Sequence, residues 1–279
     1  MLHVENMTSR DFSFAVRLTD TMNWNQTEED FKFMLELEPQ GCFVLFDDAK
    51  PVGIVSTVSF GKIGWLGNLI VTEAYRGKGA GKLLAQHAIK YLTSKNSSTI
   101  GLYAYVDKIP FYNRLGFKYD SEFIILSGRG FTSQLQRNLK EADRNDIQEI
   151  IRFDRICFGS SRRKLLEPIL LNPNNPCYLC LEDKRMLGYA IAKKYADMAE
   201  IGPLVCKRGR SDVAVDLLKT ILNKLKGLHV SVCVPKKESQ ILNMLMTSGF
   251  REDFRVARMF FQPEAVKDCV YIAESLERG

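Results

Sequence analysis

The amino-acid sequence predicts a mixed α/β (α+β) fold in two tandem copies, each a twisted, mostly antiparallel mixed sheet flanked by helices. Three observations lead there. Short apolar runs with strand-like alternation interleave with amphipathic helical stretches through the first half. A hairpin with a short polar turn joins two of those runs. In the second half the same order of segments begins again at close spacings.

In chain order, residues 3–7 read as a strand, and 8-TSRD-11 has the spacing of a capping box at a helix start. Helical patterns follow over residues 12–21 and 27–37. The runs 42-CFVLF-46 and 52-VGIVSTVSF-60 form a hairpin about the polar turn 47-DDAKP-51. Next come a strand over 65–71, a glycine-rich loop, and a helix over 80–94. That helix sets Leu83, Leu84, Ala88, Tyr91 and Leu92 on one face, with Lys82, Gln86 and Lys90 on the other. A strand over 99–105, a short helix begun by Pro110 and stopped by Gly116, and a strand over 118–126 complete the unit.

The second half lies over the first. The segment 138-NLKEADRNDIQEIIRFDRICF-158 resembles 3-HVENMTSRDFSFAVRLTDTMNW-24, and 178-YLCLEDKRMLGYAIAK-193 resembles 43-FVLFDDAKPVGIVSTV-58. Further on, 201-IGPLV-205 matches 66-LGNLIV-71 and 248-SGFREDF-254 matches 115-LGFKYDS-121. Two domains are expected, 1–127 and 132–279, joined near 127-SGRGFT-132.

Composition bounds the function. With 279 residues, 46% hydrophobic and 26% charged, the chain has ordinary globular composition and length for two cores. The start, MLHVENMTSRDF, has neither a basic n-region nor an apolar h-region, and no apolar run approaches membrane-spanning length. A soluble, cytoplasmic protein is expected. Seven cysteines scattered through apolar surroundings, beside three histidines, form no disulfide framework and no metal set. In the Cys177-Tyr178-Leu179-Cys180 motif, on a strand, one thiol would face each way. Residues 1–128 hold 13 Lys+Arg against 14 Asp+Glu, whereas residues 129–279 hold 26 against 19. The basic excess of the second half reads as a dispersed solvated surface open to an anionic partner. No recognition helix or aromatic RNA-binding motif accompanies it, so nucleic acid is not an expected partner.

The loop 74-AYRGKGAGKLL-84 concentrates three glycines and three cations at a helix start, where successive N–H groups and the helix dipole make an anion nest. Glycine lets phosphate approach the backbone. A P-loop is excluded, because Arg76 stands where its first glycine belongs and Leu83 where its hydroxyl belongs. A dinucleotide fingerprint is excluded by the GxGxG spacing and the lack of a ribose-binding acid. What fits is Arg-x-x-Gly-x-Gly/Ala, as Arg76-Gly77-Lys78-Gly79-Ala80-Gly81 after an apolar strand.

Here the sequence resembles the GNAT superfamily of acyl-CoA-dependent N-acyltransferases. The segment 109-IPFYNRLGF-117 matches that family's aromatic-Tyr-x-x-x-Gly-Phe signature, closely so for arylalkylamine acetyltransferases. The segments 23-NWN-25, 40-QGCFV-44 and Ile201-Gly202-Pro203-Leu204 resemble a two-domain subgroup that pairs an intact acetyltransferase domain with a degenerate one. The resemblance implies acetyl-CoA as donor and no metal. It implies that Arg76, Gly77, Lys78, Gly79, Ala80 and Gly81 hold the pyrophosphate, and that Leu69, Ile70 and Val71 present backbone groups to the pantetheine arm and thioester oxygen. Gly67 would assist the splay of that strand. Tyr112 is implied as general acid beside the sulfur. The acceptor would be a primary amine, a small molecule or amino acid ahead of a protein, bordered by 20-DTMNWNQTEEDF-31 with Trp24 as its contact. The reading of Glu28, Glu29 and Asp30 as the acidic N-terminal turn of a helix, with Trp24 as core, is preferred to that contact.

No general base is visible. The run 65-WLGNLIV-71 carries no carboxylate, His87 sits on the apolar helix face, and His3 is near the terminus. In the second copy, 207-KRGRSDVAV-215 keeps one glycine and puts Asp212 toward the phosphate position, while Leu245 stands where Tyr112 would be. That half is expected to shape the acceptor cleft rather than catalyse. A non-catalytic acyl-CoA sensor and a protein-modifying acetyltransferase remain alternatives, and a homodimer is compatible with the sequence.

Overall fold

The structure, a computed structural model, describes residues 1–135, 137, 139–263 and 269–279. Asn138, the first residue of the repeated segment, lies outside the described residues. The first half runs β1 (Leu2–Asn6), α1 (Phe12–Asp20), α2 (Glu28–Leu37), β2 (Cys42–Asp47), β3 (Lys50–Ser59), β4 (Ile63–Val71), α3 (Ala80–Ser94), β5 (Thr99–Tyr105), α4 (Ile109–Asn113) and β6 (Phe117–Arg129). The second half repeats it as β7 (Lys140–Glu141), α5 (Ile147–Phe158), α6 (Arg163–Leu171), β8 (Cys177–Glu182), β9 (Arg185–Lys194), β10 (Met198–Cys206), α7 (Ser211–Lys224), β11 (His229–Pro235), α8 (Ser239–Thr247) and β12 (Arg251–Phe261). A short β13 (Val270–Ile272) follows.

Local chemistry explains most boundaries. Thr27 and Asp30 cap α2 reciprocally, the Thr27 N–H donating to the Asp30 carboxylate at 2.8 Å. The β2–β3 turn is tighter than the five residues read from the sequence, because Asp48 takes a left-handed φ of 50° and pairing resumes at Lys50. Gly116, at φ 92°, ends the turn after α4. On α3 the buried face is Leu84, Ala85, Ala88 and Leu92; Leu83, expected on it, is turned outward and 38% exposed.

All strands join one sheet in the order β1-β2-β3-β4-β5-β12-β6-β11-β10-β9-β8-β7, with β13 attached to β10. Among the described strand pairs, only β4–β5 and β10–β11 are parallel. The order reads the same from either end of the repeat, and its centre is an exchange of strands. β12 of the second half lies between β5 and β6 of the first, and β6 in turn lies between β12 and β11. The segment 127–132, expected as a connector, therefore begins as strand: Ser127, Gly128 and Arg129 pair with Ser231, Val230 and His229. Helices α1, α2, α5 and α6 share one face and one core running through both halves. On the other face α3 and α4 cover the first half, and α7 and α8 the second.

Candidate active site

β4 and β5 are hydrogen-bonded only over Ile63–Trp65 against Thr99–Gly101, and then part. On the opposite edge of β4 the register with β3 slips. Asn68 and Leu69 stand against Val55 alone, and Asn68 has a φ of 50°. This bulge redirects the strand, so Asn68 rather than Gly67 makes the irregularity. The Asn68 side-chain carbonyl accepts a hydrogen bond from Gln26 at 3.0 Å, which fixes the bulge against the segment before α2. Beyond Trp65 no strand among the described residues pairs with the β5-side edge of β4, so Leu69, Ile70 and Val71 follow the point of divergence.

The glycine loop lies just beyond that edge. Arg76 donates from Nε to the Val71 carbonyl at 3.2 Å, tying loop to strand. Gly77 and Gly79 have φ of 74° and 87°, and a Cβ built on either would meet nothing within 4 Å. A side chain there would be backbone-strained and would project into the open space before α3. Ala80 opens α3, whose first N–H groups have no intrahelical acceptor. Lys78 and Lys82 are exposed beside them. This cradle, with open approach and concentrated positive potential, fits a pyrophosphate.

Tyr112 sits on α4, edge-on to Phe111 at 5.0 Å and Phe117 at 5.7 Å. Phe111 in turn approaches Gly81, which brings α4 beside the start of α3. Burial pushes the Tyr112 phenol above its ordinary range, and none of the described residues accepts a hydrogen bond from it. The phenol therefore holds its proton more firmly than an exposed tyrosine.

Trp24 is half-buried and donates from Nε1 to the Tyr105 hydroxyl at 2.9 Å. Tyr105 ends β5 and packs on Phe254 at 5.4 Å, so Trp24, Tyr105 and Phe254 lie together at the end of β5. The neighbouring acids serve the helix. Asp30 caps α2, Glu28 accepts from Ser13 at 2.8 Å, and Glu29 pairs with Lys32 at 3.6 Å. His87 packs edge-on to Phe43, where burial, then Lys90, lowers its proton affinity.

The second copy has the same divergence and fills it. β10 pairs with β11 only over Met198–Ile201, and then β13 pairs with it through Leu204–Ile272 and Val205–Val270. The Ala273 N–H reaches the Cys233 carbonyl on β11 at 3.0 Å, closing the gap from the other side. The start of α7 carries its own anion: Arg210 grips Asp212 through two bonds of 2.9 Å and holds it well below the usual carboxylate range. Leu245 is fully buried on α8.

After β13 the chain crosses to the first copy. A Cβ at Gly202 would lie 2.0 Å from the Ala273 carbonyl oxygen, and one at Gly67 would lie 2.7 Å from the Glu277 Cα. The two glycines are repeat-equivalent, and each admits the passing backbone. The Leu276 carbonyl accepts from Trp65 Nε1 at 3.2 Å, Arg278 lies over the Phe33 ring at 5.5 Å, and Arg162 donates to the Gly279 carbonyl. Sequence reading missed this segment; its only signal was a glycine at the same place in both copies.

Comparison with known proteins agrees with this arrangement. Residues 4–117 match the acetyltransferase (GNAT) family and residues 150–271 match an acetyltransferase (GNAT) domain. The uncharacterised N-acetyltransferase YitH of Bacillus subtilis is 22% identical over 95% of this chain and 91% of its own length. A presumed acetyltransferase from Pyrococcus horikoshii superimposes with a TM-score of 0.79 at 21% identity, covering 100% of this chain and 96% of that one. A tandem GNAT protein from the clavulanic acid biosynthesis pathway gives 0.61 at 12% identity, covering 95% and 100%. At these identities the superpositions speak for the fold alone. The chain is a tandem GNAT acetyltransferase, one GNAT domain in each half. Among the described residues no helix is long and apolar enough to cross a membrane.

Proposed function

We propose that the first half transfers an acetyl group from acetyl-CoA to a primary amine, a small molecule or amino acid rather than a protein, by direct attack. The carrying observation is the pairing of an open glycine cradle with an unpaired strand edge in one copy, beside a copy in which β13 fills the same gap. When bound, acetyl-CoA supplies an acetyl group already activated as a thioester. Gly77, Gly79 and the first turn of α3 bind its phosphates through N–H groups, with Arg76, Lys78 and Lys82 adding charge. The backbone of Leu69–Val71 aligns the arm and donates to the carbonyl oxygen as charge develops there. Tyr112 supplies a proton to the leaving sulfur. Trp24 and Tyr105 border the acceptor, with the Trp24 face available to a cationic amine.

Titration calorimetry with CoA, and thiol release from acetyl-CoA against a panel of amines and peptides, test this reading. Binding together with release on one or more amines is expected. Tyr112→Phe should lower kcat by about 100-fold without weakening CoA binding. Binding with no turnover on any amine, and no effect of Tyr112→Phe, would mark a CoA-binding module instead.

A further inference from the structure

An alkyl ammonium must lose a proton before it can attack, and β4 carries no carboxylate of its own to take it. Glu28 and Asp30 are engaged at the start of α2. Glu38 is held by Lys164, by the Tyr91 hydroxyl and by the Ser59 N–H. We propose that Glu277, brought to β4 by the closing segment of the second half, is the proton acceptor for the amine. This rests on the acetyl-transfer reading of the same site.

Position carries the argument first. The Glu277 backbone lies against Gly67 so closely that any Cβ there would collide with it, and the neighbouring Leu276 carbonyl is fixed by Trp65. Gly67 precedes Leu69 by two residues, about 7 Å along a strand. On this proposal the Glu277 side chain takes the amine proton directly or through one water. Leu276 packs in one cluster with Tyr103, Tyr105 and Phe254.

Partnering carries it second. The two acids of the segment are treated differently. Glu274 is 2% exposed and bound by Lys193 at 2.7 Å and by Arg278 at 3.0 Å. Lys193 also holds Glu200 at 3.0 Å. Glu277 has no ion pair among the described residues, and its neighbour Arg278 is engaged by Glu274 at 3.0 Å. A partly buried carboxylate without a paired cation is a candidate functional group.

The surrounding groups set the direction of its titration. Burial raises the Glu277 proton affinity, Arg278 opposes this, and Glu200 on β10 and Glu274 reinforce it. Cys233 faces it from β11, Lys193 lies on β9, Tyr103 and Tyr105 on β5, and Arg258 on β12. A raised carboxyl is better matched to an ammonium than an ordinary one. In the step, the ammonium gives a proton to Glu277 and the freed lone pair forms the C–N bond. The C–S bond breaks with its electron pair on sulfur, and sulfur takes a proton from Tyr112. The nitrogen loses a second proton as the amide forms; it restores Tyr112 through solvent, and the Glu277 proton is released.

Glu277→Gln tests this in the full chain, because the amide keeps size and shape. With acetyl-CoA and an accepted amine, kcat should fall about 100-fold or more, and the acidic limb of the wild-type rate profile should vanish. Glu277→Asp should restore part of the rate. CoA affinity by calorimetry should stay unchanged. If no amine on the panel is accepted, slow hydrolysis of acetyl-CoA by water needs the same proton acceptor and should fall likewise. Wild-type rate and pH profile in Glu277→Gln would overturn the proposal. Failure of the wild-type chain to bind CoA would instead overturn the underlying reading.

Discussion

At the scale of single residues, the site depends on positions where a side chain would be out of place. Gly77 and Gly79 are left-handed and face open space, so a substitution there meets strain and, on the proposed reading, blocks the approach of phosphate. Gly79→Glu adds a carboxylate where the helix dipole favours an incoming anion, and CoA affinity should fall by at least about 10-fold. Unchanged calorimetric affinity, with the fold intact by circular dichroism, would remove the loop from the site. This loop was readable from sequence because glycine spacing and charge are local properties. Glu277 was not, since nothing within 265–279 shows that it lies beside residue 67, 210 positions away.

At the scale of elements, β6 and β12 decide the assembly. Each completes the sheet of the half it does not belong to, burying Phe123, Ile125 and Val256 at the crossing. Each such side chain contributes roughly 1.5–3 kcal/mol, and a half expressed alone loses both those contacts and a full strand of hydrogen bonds. Fragments 1–131 and 132–279 should each be unfolded or aggregated alone, and should regain native-like circular dichroism and CoA binding when co-expressed. A cooperatively folded 1–131 fragment would contradict this account. The helices and most strands were visible in sequence through their periodicity, and α3 and β5 fall where their patterns put them. The exchange was invisible, because either β6 or β12 satisfies the same alternation in either slot.

At the scale of the whole molecule, buried charge secures the closing segment. Arg162 is fully buried and donates to Asp154 at 2.7 and 3.1 Å while its third nitrogen holds the Gly279 carbonyl. Burial works against the Arg162 charge, and Asp154 keeps it in place. Arg162→Met leaves Asp154 buried without a cation and frees the segment from α6, so stability should fall by about 3–5 kcal/mol. Urea denaturation checks this, and a midpoint near wild type would refute it. Glu274 follows the matching rule. Burial opposes its charge, but Arg278 and Lys193 win and hold it below the ordinary carboxylate range. Its contribution is therefore present above that range and is lost as pH falls through the lowered value.

The sequence by itself determined the family, the two copies, and which copy keeps the glycine loop and the Tyr112 signature. These are short-range patterns, fixed by side-chain period, glycine placement and helix starts. Only the tertiary structure decided that the copies share one sheet, that β13 fills the second gap, and that the same segment then lies along β4. Strand partners and the path of a closing segment depend on which unpaired edge and which glycine lie nearby in space, and no local pattern encodes that proximity.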